Sequence, residues 1–319
     1  MDKIGIVHNP NARRNRGDKE KPGRLSEILG SLGIVRETKS TLEVGEVARE
    51  YLKRGIKLLG INGGDGTYHQ VVSRFINVYK EKALPSILHM RGGTMNTIAN
   101  SFGVLRGSAE KVLRDIVEKY RNNDNIPSVE REILKVSRSP GSGQGEEQYG
   151  FMFGAGAATK FLAAYYEGEK TGPRKALQMI VKAISSAIMR TDYIKNLLEP
   201  VDATLYVDDQ ELDIKKFTLI YASTIKQVGL GFKVAYRAGE KPGYFHLVAG
   251  PLRAWDIIKN IPTVYRGLPT HIKTIHDDIH KKITLRGPDE LSYTIDGELY
   301  MSDSPITVTL GPKVKMITA

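Results

Sequence analysis

The stretch that most limits the fold is Leu58 to Thr67. Four apolar residues, Leu58-Leu59-Gly60-Ile61, pass through Asn62 into Gly63-Gly64-Asp65-Gly66-Thr67, and helical periodicity begins at once. Val71, Val72, Phe75, Ile76 and Tyr79 recur at the spacing of one helical face. A short apolar run feeding a helix through a glycine turn is half of a strand–helix–strand unit, and such units build parallel sheets. The same rhythm runs through the first 125 or so residues. Strands are expected at Ile4–Val7, Ile34–Arg36, Leu58–Ile61 and Ser86–Met90, and helices at Leu25–Leu32, Val44–Arg54, Thr67–Tyr79, Asn96–Phe102 and Ala109–Tyr120. The expected fold class is α/β, with an N-terminal doubly wound parallel sheet.

Asn122 to Pro127 is a polar, proline-containing break, after which strand candidates dominate. These are Glu132–Arg138, Tyr149–Phe153, Val201–Val207, Phe217–Ala222, Tyr244–Val248, Lys282–Leu285 and Ile306–Leu310, with a hairpin turn at Asp208-Asp209-Gln210. Ser139 to Gly145 reads as a surface loop. Helices are expected near Lys175–Met189 and Ala254–Tyr265. The sequence therefore divides into an α/β domain over 1–127 and a mainly β, sandwich-like domain over 128–302.

Composition narrows the chemistry. With no cysteine, disulfides, thiolate metal sites and cysteine nucleophiles are excluded. The absence of a run of about 18 apolar residues argues against a transmembrane helix. Met1-Asp2-Lys3-Ile4 carries no signal-peptide pattern, and a cytoplasmic location is expected. The net charge of +11 suits nucleotides, nucleic acid or an anionic membrane as partners. The basic residues are scattered, which is also how an ordinary solvated surface reads. No recognition motif or aromatic–basic platform points to nucleic acid.

Four segments are candidates for chemistry. In Gly63 to Thr67, glycines let backbone amides approach anionic oxygens, and the helix that follows adds free N–H groups and a positive dipole end. Asp65 offers a carboxylate to Mg²⁺ or to a hydroxyl proton, and Thr67 can cap the helix. Met90-Arg91-Gly92-Gly93-Thr94-Met95-Asn96 repeats the design after the next strand. Loops at the carboxyl ends of neighbouring parallel strands face one crevice. Val7 to Arg13 ends at the same edge, and Tyr293 to Glu298 lies far down the chain. Each segment also has an ordinary structural account: a strand-to-helix turn for the glycine loops, and a hairpin turn for Asp296-Gly297.

Together these segments resemble the diacylglycerol kinase catalytic family, which includes bacterial lipid kinases and sphingosine kinases. Gly63-Gly64-Asp65-Gly66-Thr67 is shared with NAD kinases. Gly93-Thr94-Met95-Asn96 and Asp296-Gly297-Glu298 favour the lipid-kinase branch. The resemblance implies an ATP-dependent kinase, with Mg²⁺, that phosphorylates a hydroxyl of a diacylglycerol- or sphingoid-type lipid, and a last segment, about 303–319, that returns to the first domain. It places the nucleotide on Asn9, Pro10, Asn11, Ala12, Arg13, Thr41, Gly63, Gly64, Asp65, Gly66, Thr67, Gly93, Thr94 and Asn96. Catalysis is assigned to Asp65 and Glu298, whose roles as general base can exchange, and the metal to Asp65. A helix N-cap accounts for Thr41 equally well.

Two departures stand out. Thr97 occupies the family's usual aspartate position after Gly-Thr-x-Asn, and Pro242 occupies the place of an acid that binds a structural Mg²⁺ in bacterial members. Two other readings stay open: an NAD kinase-like enzyme with a soluble acceptor, and a catalytically idle nucleotide- or lipid-binding homologue. Phe151 to Tyr166 and Ala176 to Met189 are apolar enough to line an acyl-chain pocket, although core packing explains both more simply.

Overall fold

The computed structural model describes residues 3–138, 147–168 and 171–318; the loop expected at Ser139 to Gly145 lies outside them. The chain forms two compact units, one of residues 1–131 with 313–319 and one of 132–312.

The first unit is built on parallel strands β1 (Ile4–His8), β2 (Gly33–Glu37), β3 (Leu58–Asn62) and β4 (Ser86–His89), in the order β2-β1-β3-β4. The end of the final strand, Ile306–Ile317, adds to β4 in parallel, with Met316 opposite Ile87. Every residue of β1 and β3 is buried, which fits a parallel sheet covered on both faces. The connecting helices are α1 (Lys21–Leu29), α2 (Thr41–Arg54), α3 (Asp65–Tyr79), α4 (Thr97–Ser101) and α5 (Ala109–Arg121). α2 turns Val44, Val47, Ala48 and Tyr51 inward, and the Tyr51 hydroxyl donates to the Ile6 carbonyl at 2.8 Å.

Several helix boundaries differ from the sequence expectation. α1 begins at Lys21 and ends at Leu29, because a 3-10 turn takes over at Gly30–Leu32. α3 begins at Asp65, two residues before Thr67, so Thr67 lies inside the first turn and Gly64 holds the cap position. Asn96 stands outside α4 in the left-handed region (φ 48°) and acts as its cap residue.

In the second unit, six strands form an antiparallel sheet in the spatial order His276–His280, Phe245–Gly250, Leu219–Ser223, Met152–Gly156, Leu291–Ile295, Glu298–Ser302. Thr204–Val207, Lys282–Arg286 and the start of Ile306–Ile317 form a further antiparallel set. Phe153, Phe245, Leu247 and Tyr293 from the six-stranded sheet share one core with Leu205, Ile283, Leu285, Ile306 and Val308 from the other set. Two inward faces closing on a common core make a sandwich. Asp208 and Asp209 both have positive φ, as a two-residue hairpin turn requires, and Val207 pairs with Gln210 across them.

Four helices decorate this unit: α6 (Ala157–Tyr166), α7 (Pro173–Met189), α8 (Asp192–Leu197) and α9 (Ala254–Arg266). The expected strand Tyr149–Phe153 is two strands, Gln148–Gly150 and Met152–Gly156, split at Phe151. The Phe151 and Met152 amides donate to the buried Asp296 carboxylate at 2.9 Å, and Phe151 is left between the two strands. The strand His276–His280 was not apparent in the sequence, because His-Asp-Asp-Ile-His shows no apolar alternation; it is a polar edge strand.

Candidate functional site

β1, β3 and β4 all deliver their next residues to the carboxyl edge of the sheet, and there the turns lock together. The Asn9 amide donates to the Asn62 carbonyl at 3.1 Å, and the Arg14 amide to the Gly92 carbonyl at 3.0 Å. Asn15, buried, donates from Nδ2 to the carbonyls of Asn9 (2.8 Å) and Asn62 (3.0 Å). Asn9 Nδ2 donates to Thr67 Oγ1 at 2.8 Å, and Asn9 Oδ1 accepts the Asn11 amide at 2.9 Å. Asn9 to Arg13 is thus fixed against the head of α3.

The two glycine turns touch backbone to backbone. A Cβ on Gly93 would lie 2.4 Å from Gly64 Cα, and one on Gly92 would lie 2.8 Å from the Gly63 nitrogen. A Cβ on Gly63 would meet the Thr67 side chain at 2.3 Å. These glycines therefore serve close contact between the loops, a use the sequence argument had not foreseen. The Asn96 carboxamide ties its own turn, with Oδ1 accepting the Gly93 amide and Nδ2 donating to the Gly93 carbonyl. Thr94 is half-buried between these fixed points.

α3 starts at this junction with Gly64 as cap, a residue with no side chain to offer its first amides. The first N–H groups of a helix lack intrahelical acceptors, so an uncapped N-terminus suits an anion. Asp65 does not face that opening alone. Its Oδ2 accepts the Thr97 amide at 2.8 Å and its Oδ1 the Ile98 amide at 3.1 Å, so it caps α4. Burial pushes its carboxyl up to about 6, against the pull of those two amides.

His89, Asn62 and Arg91 belong to this arrangement; Asn62 and Arg91 lie in the segments singled out from the sequence, but the motifs give none of the three a role. His89 Nδ1 accepts the Arg91 amide at 3.1 Å, which leaves the proton on Nε2, 3.8 Å from Asp65 Oδ1. The ring is fully buried, stacks on Tyr68 and is held neutral, its pKa lowered to about 3 chiefly by burial. Asn62 donates to His8 Nδ1 at 2.9 Å, while its buried Oδ1 has no partner. Arg91 holds the chain around α4 through the carbonyls of Leu105 (2.9 Å) and Val104 (2.8 Å) and Asn100 Oδ1 (2.8 Å). The available signal was polar residues at the last positions of buried strands.

Thr41 opens α2, but Ser40 is the cap: its side chain accepts the Glu43 amide at 3.3 Å. That removes the capping account of Thr41, which lies half-buried beyond β2.

Glu298 belongs to the second unit and starts the strand Glu298–Ser302. Asp296 (φ 49°) and Gly297 (φ 93°) form the two-residue hairpin turn before it, with Ile295 paired to Glu298. Tyr166 donates to the Gly297 carbonyl at 3.0 Å. Burial raises the Glu298 carboxyl above its ordinary value.

Among the described residues, no group of three or more His, Asp or Glu is placed to hold a metal ion. Mg²⁺ commonly takes one or two carboxylates and completes its shell with water and substrate phosphates. The single Asp65 carboxylate, with the orphaned Asn62 oxygen at the end of β3 just before the same turn, fits a cation carried in on a nucleotide rather than a resident one. At the stretch containing Pro242, Arg237 bonds Glu240 (2.8 Å) and Asp278 (2.5 Å), so a guanidinium already neutralises those carboxylates.

Residues 3–126 match the family model described as the diacylglycerol kinase catalytic domain. A diacylglycerol kinase from Bacillus anthracis str. Sterne has the same fold, with a TM-score of 0.65 at 15% identity over 99% of this chain and 96% of that one. Yeast NADH kinase, solved with NADH, aligns over 100% of this chain and 84% of its own, with a TM-score of 0.51 at 10% identity. No curated protein matches the chain.

Proposed function

Starting from the match of residues 3–126 to the diacylglycerol kinase catalytic domain, we propose that the protein transfers the γ-phosphoryl group of ATP to a hydroxyl of a diacylglycerol- or sphingoid-type lipid. The observation that carries this reading is the contact of the Gly63–Thr67 and Gly92–Asn96 turns beside the uncapped head of α3.

Phosphoryl transfer asks mainly for alignment and charge neutralisation. In this proposal, the amides at the head of α3 and in the two glycine turns hold the phosphates. Asn9, bonded to Thr67, keeps the first turn in place. Thr94 and Asn96 shape the second turn, Arg13 supplies positive charge, and Thr41 lies at the same sheet edge. Mg²⁺, when bound with the nucleotide, neutralises the developing charge on the phosphate oxygens. Asp65 fixes the head of α4 and is the carboxylate nearest the phosphates. Glu298, its pKa raised by burial, accepts the proton of the attacking hydroxyl, with Asp65 as the alternative base.

The experiment is incubation with ATP and either a total lipid extract or NAD, with the product identified by mass spectrometry. A phosphorylated lipid is expected. Phosphorylated NAD alone would assign the NAD kinase-like reading, which the fold shared with yeast NADH kinase keeps open. Nucleotide binding with no product from either acceptor would assign the idle homologue.

A further inference from the structure

α7 carries a stripe that does not pack. Leu177, Val181 and Ile188 follow one another at helical spacing and stand 56%, 53% and 60% exposed. The residues α7 does bury, Ala176, Met179, Ser186 and Ala187, lie on its other side. Core packing, the simpler expectation for this segment, is therefore not what Leu177, Val181 and Ile188 do, although Met179 packs inward. α9 packs against α7 and behaves alike: none of its residues is fully buried. Trp255 and Tyr265 are about half exposed, as is Leu268 just beyond the helix. Soluble proteins seldom leave apolar stripes on two neighbouring helices uncovered.

The charges around these stripes choose the occupant. α7 contains Arg174, Lys175 and Lys182 and no acidic residue, and Arg190 follows it. α9 contains Lys259 and Arg266 against Asp256, whose carboxylate accepts the Arg253 amide at its own helix head. A second copy would bring the same positive face from a chain of net charge +11. An anionic bilayer supplies the opposite charge and an apolar interior. Trp and Tyr settle at the headgroup level, aliphatic residues enter below it, and lysines and arginines reach back to the phosphates.

We infer that the exposed face of α7 and α9 docks on an anionic lipid surface, lying in the interface rather than crossing it. Among the described residues, no helix is long and apolar enough to cross a membrane. The inference deepens the lipid-kinase reading, and rests on it, by naming the face through which the protein meets its acceptor's bilayer.

Trp255 is the chain's single tryptophan, so its emission reports on α9 alone. Vesicles of dioleoyl-phosphatidylglycerol, added without ATP at low salt, should shift that emission to the blue and carry the protein into the pellet. Phosphatidylcholine vesicles should do neither, and bromine on the acyl chains should quench the emission. Val181→Asp with Ile188→Asp changes two exposed positions, so the melting temperature should hold while vesicle binding falls at least tenfold. Lys182→Glu should weaken binding by about fivefold or more at low salt. Unchanged Trp255 emission on the anionic vesicles overturns the inference, as does full binding by the doubly substituted protein. A dimer in sedimentation equilibrium that the same two substitutions dissociate assigns the face to a second copy and overturns it too. Vesicle binding by a protein that phosphorylates no lipid in the separate assay with ATP and lipid extract removes the kinase reading and leaves the docking face standing.

Discussion

Asp65 accepts two backbone amides that favour its charged form, yet burial outweighs them and raises its pKa to about 6. In an unfolded chain the same carboxyl titrates near 3.9. The folded protein therefore holds this proton more tightly, and the stability that proton contributes is complete below about pH 4 and lost as pH rises through about 6. Activity should run the other way, rising through about pH 6 as the working carboxylate forms. Asp65→Asn offers one acceptor oxygen in place of two; it is expected to abolish phosphoryl transfer and leave a folded protein by circular dichroism. Retained turnover would remove Asp65 from the reaction. Glu298→Gln should leave nucleotide affinity unchanged and reduce transfer about 100-fold or more, the usual scale for a lost general base. Steady-state kinetics with a nucleotide-binding isotherm separates the two effects. Gly93→Ala would force a Cβ to within 2.4 Å of Gly64 Cα. A cost of about 1–3 kcal/mol is expected from such overpacking, read as a lowered melting temperature together with weakened nucleotide binding.

Among the elements, the glycine turns are held by side chains from other segments rather than by their own hydrogen bonds alone. Asn9 reaches Thr67 across 58 residues, and Asn15 bonds the carbonyls at the ends of β1 and β3. Asn9→Ala is expected to cost about 1 kcal/mol of stability and to weaken nucleotide binding more than that loss alone would. Chemical denaturation set beside a binding isotherm checks both parts. Helix starts illustrate what local sequence can and cannot disclose. Ser40, with Glu43 three residues on, is a legible capping pair, whereas Thr41 is marked only by its match to a family pattern. α3 opens on a glycine cap because the loop it meets is made of glycine backbone, a fact that depends on β4 lying beside β3.

At the scale of the molecule, the last strand is the feature with the widest reach. It begins in the second unit and ends in the first, where Val314, Met316 and Ile317 are buried and Met316 sulfur accepts the Tyr68 hydroxyl. Met316→Ala should destabilise the first unit by about 2–5 kcal/mol, the usual cost of emptying a buried methionine site, and calorimetry would resolve it. An unchanged melting profile would mean that the strand is not part of that core.

The sequence by itself determined the kinds of layer. Uninterrupted apolar strands such as Ile4–Val7 and Leu58–Ile61 can only be buried on both faces, and the glycine turns after β3 and β4 mark where the chain turns into a helix. Those signals are local, set by residues within a few positions of one another. Only the tertiary structure decided how the turns are used. Gly64 and Gly93 are 29 positions apart yet in van der Waals contact, His89 stands 3.8 Å from Asp65, and Asp296 breaks a strand 145 residues earlier at Phe151. It also decided that the apolar side of α7 faces outward, since periodicity shows that a helix has a stripe but not whether another element covers it. Burial and hydrogen bonding are properties of neighbours in space, and those neighbours exist only once the strand order is set.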